Sequence, residues 1–220
     1  MAARVTVVGV GMVGEQIITI LKEHNLPIEW PPRVCATRKR TETFSGEDFL
    51  VEQVSEDSFK DADFVLFAGK EGAKGASITW RACAEDAGAI CIDNGSDFRL
   101  DPTVPLVVPE VNLDAVRSDH RFIASPNCST IQMVMALIPL HRIAKVKRVV
   151  VSTYQSVSGW GVKANEELIN QMPYALKSSD AIPFDPTVMA RPIATHRQVY
   201  RERVHEGRNE DGSRNPEDNG

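Results

Sequence analysis

Short apolar runs and helix-period segments alternate along the first half of the chain. "RVTVVGV" (Arg4 to Val10) is rich in β-branched residues, and "EQIITILKEH" after it carries apolar residues at helical spacing. "RVCAT", "DFVLFAG" and "AICIDNG" read as further buried strands. "GASITWRACAEDAG" reads as a helix between two of them, with Gly88 as its C-terminal stop. "RFIASPN" closes the series as a last strand. Parallel strands need crossover connections and are buried on both faces, so this alternation predicts an α/β fold built on a doubly wound parallel sheet.

The pattern changes at Cys128. "STIQMVMALIPLHRI" predicts a helix, "KRVVVSTYQ" a long alternating strand, and "KANEELINQM" a helix with a polar face. These elements predict the start of an incomplete, mixed α+β domain. From about Lys177 the chain is irregular and Pro-rich, and from Thr195 it is highly polar. Such a tail has little apolar surface to set against an ordering cost of about 1–2 kcal/mol per residue. The expected organisation is a sheet domain over residues 1–126, a partial domain over 127–194, and an unpacked tail over 195–220.

Composition narrows the function. The 220 residues, 42% of them hydrophobic, suffice for one generous core or two modest ones. Twenty-five basic against 30 acidic residues give a formal net charge of −5, which disfavours a general nucleic-acid surface. No apolar run reaches the length of a membrane span, and the first residues lack a signal-peptide pattern. The four cysteines, Cys35, Cys83, Cys91 and Cys128, show no C-x-x-C pairing and no His-rich partner segment. Free thiols, a cytoplasmic location and no metal site are expected.

"VTVVGVGMVGEQI" places Gly9, Gly11 and Gly14 as G-x-G-x-x-G between a strand and a helix. The first glycine permits a tight turn and the second lets a pyrophosphate approach the backbone. The third lets the helix pack closely on the strand, and the helix N-terminus faces the anion. The sheet domain is therefore expected to be a Rossmann-type dinucleotide site. An acidic residue after the second strand would mark NAD. Here "CATRKRTET" puts Thr37, Arg38, Lys39 and Arg40 there instead, which points to the 2′-phosphate of NADP, although such a cluster also suits a solvated loop.

Cys128, within "SPNCST", opens a helix at the domain junction. Backbone N–H groups and the helix dipole at such a place favour a thiolate over the ordinary thiol with its pKa of about 8.5, and can hold an oxyanion. Cys35, Cys83 and Cys91 lie inside strand or helix patterns and read as small core residues. Gln155 follows a strand pattern and precedes a Ser/Gly turn; its amide either orients a substrate carbonyl or thiol, or caps the turn. Arg99, in "DNGSDFRLDPTVPLVVPEVN", is either a phosphate-binding guanidinium or a surface ion pair with Asp97 or Asp101.

Taken in order, "VGVGMVGEQI", "DNGSDFRLDPTVPLVVPEVN", "SPNCSTIQM" and "STYQSVSGWG" resemble aspartate-semialdehyde dehydrogenase, from residue 4 to about 194. The resemblance implies an acyl-enzyme thioester on Cys128 and a Gln155 that orients the reacting groups. It also implies an Arg99 that holds phosphate, an Asn127 in the substrate site, and NADPH over Gly9, Gly11, Met12, Val13 and Gly14, with Thr37, Arg38 and Gly159. The reaction implied is reductive dephosphorylation of β-aspartyl phosphate to aspartate semialdehyde, in lysine, methionine and threonine biosynthesis, by a homodimer. The alternatives are an enzyme like N-acetyl-glutamyl-phosphate reductase, which shares a "DFRL"-like motif but whose nucleophile segment reads N-P-G-C, and a non-catalytic NADP-binding chain.

The resemblance stops at "ARPIA", before the family's catalytic histidine, a carboxylate, a second arginine and a phosphate-binding lysine. His196 and His205 lie in unrelated context. Written in synonymous codons and read from the second base of the Ala194 codon, the tail can spell a run similar to the family's next segment. A frameshift near codon 194 is expected, with no turnover by this chain alone.

Overall fold

The computed structural model describes residues 2–69, 72–160 and 165–170. Strand β1 (Val5–Val8) runs through a glycine turn into helix α1 (Met12–Glu23), followed by β2 (Arg33–Ala36), β3 (Arg40–Phe44) and β4 (Glu47–Gln53). Then come β5 (Phe64–Phe67), α2 (Ala76–Asp86), β6 (Ile90–Asp93), the short α3 (Pro109–Asn112), β7 (Phe122–Ala124) and α4 (Cys128–Ile143). The seven strands form one sheet in the order β3-β4-β2-β1-β5-β6-β7. Every neighbouring pair is parallel except β3 and β4. The doubly wound sheet read from the apolar runs is therefore present.

Both faces of the sheet are buried, which is why its strands are apolar at successive positions. On one face Val5 and Val7 pack with Ile18 of α1 and with Val34, Phe49 and Val51. On the other, Val8, Val65, Phe67 and Cys91 pack with Phe59, Ala84 and Phe122. Thr6 is the polar exception in β1, and its hydroxyl donates to the Ser58 carbonyl at 3.2 Å.

Two elements differ from expectation. Residues 40–53, of which the sequence assigns only Arg40, as part of the cationic cluster after β2, form the β3–β4 hairpin at the sheet edge. Its two-residue turn puts Ser45 at φ 50° and Gly46 at φ 77°, the left-handed pair that matches strand twist in tight hairpins. Arg40 thus belongs to a strand, and only Thr37 to Lys39 remain in the loop after β2. The alternating segment "KRVVVSTYQ" is not a strand; residues 147–155 have no ladder partner among the described residues. Backbone groups enter a strand only by pairing, so Val150 and Tyr154 lie 80% and 99% exposed.

Helix α4 forms as expected, but none of its residues is buried. Residues 165–170 are helical, within the predicted "KANEELINQM" helix, whose other residues lie partly outside those described. Met1–Ala181 groups as one compact unit, with no long linker between β7 and α4. The expectations for 171–194 and for the tail at 195–220 lie outside the described residues.

The closest packing is at the start of α1, where a Cβ on Gly14 would lie 1.9 Å from the Gly9 carbonyl oxygen. Gly14→Ala is expected to cost more than about 2 kcal/mol, since the obstacle is backbone and cannot rotate away. Gly11→Ala, with nothing within 4 Å of its Cβ, should change stability by well under half that amount. Urea unfolding of the two variants checks this; equal losses would contradict it.

Candidate active site

At the carboxyl end of β1 the three glycines divide their tasks. Gly9 sits at φ +108°, and a Cβ there would meet the Gly69 nitrogen at 2.5 Å. Gly14 lets α1 rest on the Gly9 carbonyl, as above. Gly11 faces open space and is the N-cap of α1, with no side chain capping the helix. The first-turn N–H groups, including those of Met12 and Val13, are thus left for an anion such as a pyrophosphate. This arrangement fits a dinucleotide.

Beyond β2, Thr37, Arg38 and Lys39 are exposed. Arg40 is engaged elsewhere: its guanidinium pairs with Glu42 and donates to the Arg38 carbonyl at 3.1 Å. The Arg38 and Lys39 side chains make no ion pair among the described residues and are the cations available at that end of the strand. Gly159 lies exposed in a short turn, Val157–Trp160, with nothing within 4 Å of a Cβ.

Strand β7 delivers the chain to Cys128, the exposed first residue of α4. Asn127 is the N-cap; its Oδ1 accepts from the Ser129 N–H at 3.1 Å and from the Ser129 hydroxyl at 2.7 Å. An N-cap amide of this kind satisfies helix-start donors and stabilises the helix by about 1 kcal/mol. Gln155 reaches the same place from 28 residues away, its Nε2 donating to Asn127 Oδ1 at 3.3 Å and lying 3.7 Å from Cys128 Sγ. Three of the expected site residues, Asn127, Cys128 and Gln155, are therefore in direct contact.

Arg99 is anchored one step away. Its Nε donates to the Ser125 carbonyl at 2.8 Å and its Nη2 to the Asn94 carbonyl at 2.9 Å. Neither ion pair offered by the surface alternative forms. Asp97 instead accepts the Gly72 N–H, at 2.9 and 3.1 Å to its two oxygens, and Asp101 pairs with Arg81 at 3.7 Å. Ser125 in turn donates its N–H to the Asp93 carbonyl at the end of β6. Arg99 is thus tied to the segment that leads into Cys128, with N–H groups of its five-donor fork to spare.

Arg81 of α2 is a supporting residue that sequence patterns did not single out. Its guanidinium lies 4.8 Å from the Phe98 ring centroid and 4.6 Å from that of Phe122, while pairing with Glu85 and Asp101. It braces the loop carrying Arg99 from behind. A lone Arg in a helix carries no signal of that role. Asp97, beside Phe98 in the motif, could have been flagged as a loop tie rather than an ion-pair partner.

Comparison with known proteins identifies the family. Residues 4–119 match the family profile "Semialdehyde dehydrogenase, NAD binding domain". Residues 137–213 match "Semialdehyde dehydrogenase, dimerisation domain", a match that passes residue 194, where the sequence likeness is expected to end. The chain belongs to the semialdehyde dehydrogenase family. Aspartate-semialdehyde dehydrogenase of Aquifex aeolicus is 43% identical over 202 residues, 84% of this chain and 58% of that protein. The Bacillus subtilis protein of that name is 40% identical, covering 89% of this chain and 55% of its own length. A crystal structure of aspartate semialdehyde dehydrogenase II from Vibrio cholerae superposes with a TM-score of 0.71 at 37% identity, covering 80% of this chain and 53% of that one. The chain thus spans about half the length of the curated relatives it matches. A second structure of the Vibrio cholerae protein is complexed with ASA.

In this member of the family the four thiols are unequal. Burial holds Cys91 up to about 12, with the nearby Glu85 carboxylate adding to the effect. Burial likewise raises Cys35 and, less deeply set, Cys83. Only the thiolate attacks an alkylating agent, so iodoacetamide at pH 8 on the folded chain should label Cys128 well before the other three. Peptide mapping checks this, and faster labelling of Cys83 would contradict it.

Cys91 also predicts an alkaline instability. In the unfolded chain the thiol ionises from about 8.5, whereas in the folded chain it stays protonated to about 12, so the unfolded state loses its proton first. Stability is intact below about pH 8.5 and falls as pH rises between those values, by up to about 1.4 kcal/mol per unit. Urea midpoints from pH 8 to 10 should fall less steeply in Cys91→Ala than in wild type. Parallel slopes would refute it.

Proposed function

We propose that this chain carries the nucleotide site and nucleophile of an NADPH-dependent aspartate-semialdehyde dehydrogenase, acting on β-aspartyl phosphate. The observation that carries the reading is the contact between Cys128, Asn127 and Gln155 at the start of α4, with Arg99 tied to the same segment. The Cys128 thiolate attacks the acyl carbon, the bond to the phosphate oxygen breaks, and phosphate leaves to yield a thioester. Gly9, Gly11, Met12, Val13 and Gly14 would hold a dinucleotide, which would supply hydride to the thioester carbon. The C–S bond would then break, releasing the aldehyde and the Cys128 thiolate together.

Each residue has a physical part in this. A thiolate is both a good nucleophile and a competent leaving group. Helix-start N–H groups at α4 can take the charge that builds on the carbonyl oxygen. Arg99 offers a fork to phosphate oxygens, Asn127 holds the substrate, and Gln155 orients sulfur and carbonyl. Arg38, with Thr37, meets the 2′-phosphate of NADP. The relatives' names support this substrate over an acetylated glutamyl phosphate.

Among the described residues the side chains hydrogen-bonded to Cys128 Sγ are the amides of Asn127 and Gln155, and neither can act as a base. A separate general base is required, and such a group is typically worth about 10²–10⁴-fold in rate. We therefore assign proton handling to a group other than these two amides, and homodimer contacts to residues 137–213. Among the described residues no helix is long and apolar enough to cross a membrane, and a cytoplasmic enzyme of lysine, methionine and threonine synthesis suits these features.

The chain should bind NADPH more tightly than NADH by about 1.5–3 kcal/mol, and Arg38→Ala should remove most of that difference. Titration of both dinucleotides decides it; equal affinities untouched by the substitution would sink the NADP assignment. In a phosphate-dependent assay with aspartate semialdehyde and NADP, this chain should give no turnover and the Bacillus subtilis relative should. Turnover by this chain would show that a base does stand beside Cys128.

A further inference from the structure

We propose that Asn94–Gly95 is a deamidation site, held back in the folded chain by the Asp93 side chain and placed so that its product alters Arg99. Asn94 is exposed in the loop after β6, and Gly95 beside it is buried. Asparagine followed by glycine is the pair most open to this reaction, because glycine has no Cβ to hinder its own backbone nitrogen. The Gly95 nitrogen, having lost its proton to hydroxide, attacks Asn94 Cγ. The Cγ–Nδ2 bond breaks, and ammonia leaves with a proton taken from water. Water then opens the resulting five-membered succinimide at one of its two carbonyls. Opening at Cγ gives aspartate; opening at the main-chain carbonyl gives isoaspartate, in which the chain runs through Cγ.

In the folded chain the first of these steps is blocked. The Gly95 N–H donates to Asp93 Oδ1 at 2.8 Å, in a buried contact. A proton held there is not open to hydroxide, and a nitrogen so held cannot turn onto Cγ. Asn94 is fixed as well, its N–H donating to the Phe67 carbonyl at 3.0 Å and its carbonyl accepting from Arg99 Nη2 at 2.9 Å. The reaction therefore waits on local opening of this turn. The Arg99 contact gives the product its consequence. In isoaspartate the carbonyl that Arg99 holds leaves the main chain, and its carbon carries the new carboxylate. A neutral acceptor becomes a charged one, competing for the guanidinium that the proposed function gives to phosphate. That consequence rests on the proposed function; the modification itself does not.

The test is peptide mapping of the full 220-residue chain during incubation at pH 8, scoring aspartate and isoaspartate at Asn94 apart from the other Asn–Gly pair, Asn219–Gly220. In urea that unfolds the chain, conversion at Asn94 should be at least about tenfold faster than in the folded chain. Folded Asp93→Ala should convert about 3–10-fold faster than folded wild type, the worth of one hydrogen bond. No conversion in urea would overturn the site, and equal rates in folded wild type and Asp93→Ala would overturn the restraint. If Asp93→Ala fails to fold, wild type decides. Deuterium exchange at the Gly95 N–H and conversion at Asn94 should rise together across low urea concentrations, because both need the Asp93 bond open. Conversion that ignores exchange would overturn the restraint. Inorganic phosphate should bind the converted chain about tenfold more weakly than the fresh one. Equal binding would overturn the consequence at Arg99. Absence of binding even to the fresh chain would sink the phosphate role of Arg99 in the proposed function, while the mapping still judges Asn94.

Discussion

The reactive end of this sheet depends on how closely α1 can approach β1. A side chain on Gly14 would strike the Gly9 carbonyl, and one on Gly9 would strike the backbone of Ala68 and Gly69 beyond β5. With all three chains so close, the uncapped start of α1 lies directly above the strand ends. A wider crossing would still bury apolar surface, but it would carry the helix N–H groups away from the cleft. The lack of side chains at two positions thus fixes the geometry on which the nucleotide reading rests.

The second half of the site is held by hydrogen bonds rather than by packing. Helix α4 has no buried residue, so its start is located by the segment entering it. That segment is pinned through Ser125, whose N–H meets the Asp93 carbonyl and whose carbonyl meets Arg99. Arg99 and Phe98 are braced in turn by α2, through the stacking of Arg81 and its pair with Asp101. Charge-assisted bonds of this kind are directional and worth about 1.5–3 kcal/mol each, so they can fix a loop that hydrophobic contact would leave free to slide.

The parallel core was legible because apolar runs such as "VTVV" and "FVLF" mark strands buried on both faces, and the glycine spacing marked the turn between β1 and α1. Asn127, Cys128 and Gln155 were each legible by residue type, yet their contact spans 28 residues and no local pattern encodes it. The β3–β4 hairpin did carry a signal, the Ser45–Gly46 turn between its two flanks, but the cations at 37–40 point instead to a phosphate site and overshadow the turn itself. The opposite error at residues 147–155 has a complementary cause. Alternation states which face would be buried, but a strand also needs a neighbour.

The order of the strands in the sheet differs from their order along the chain, and synthesis must respect both. The β3–β4 pairing is the local one, closed by a two-residue turn, and hairpins of this type form within about 1–10 μs. With β2 and β1 it can complete one half of the sheet once residue 53 has left the ribosome. The other side of β1 stays an open edge until β5 emerges at Phe64, and the sheet ends only with β7 at Ala124. During that interval the nascent chain exposes an unpaired parallel edge, the state most prone to wrong pairing. Because β7 is both the last strand to arrive and the one that leads into Cys128, the nucleophile takes its place only after the sheet has closed.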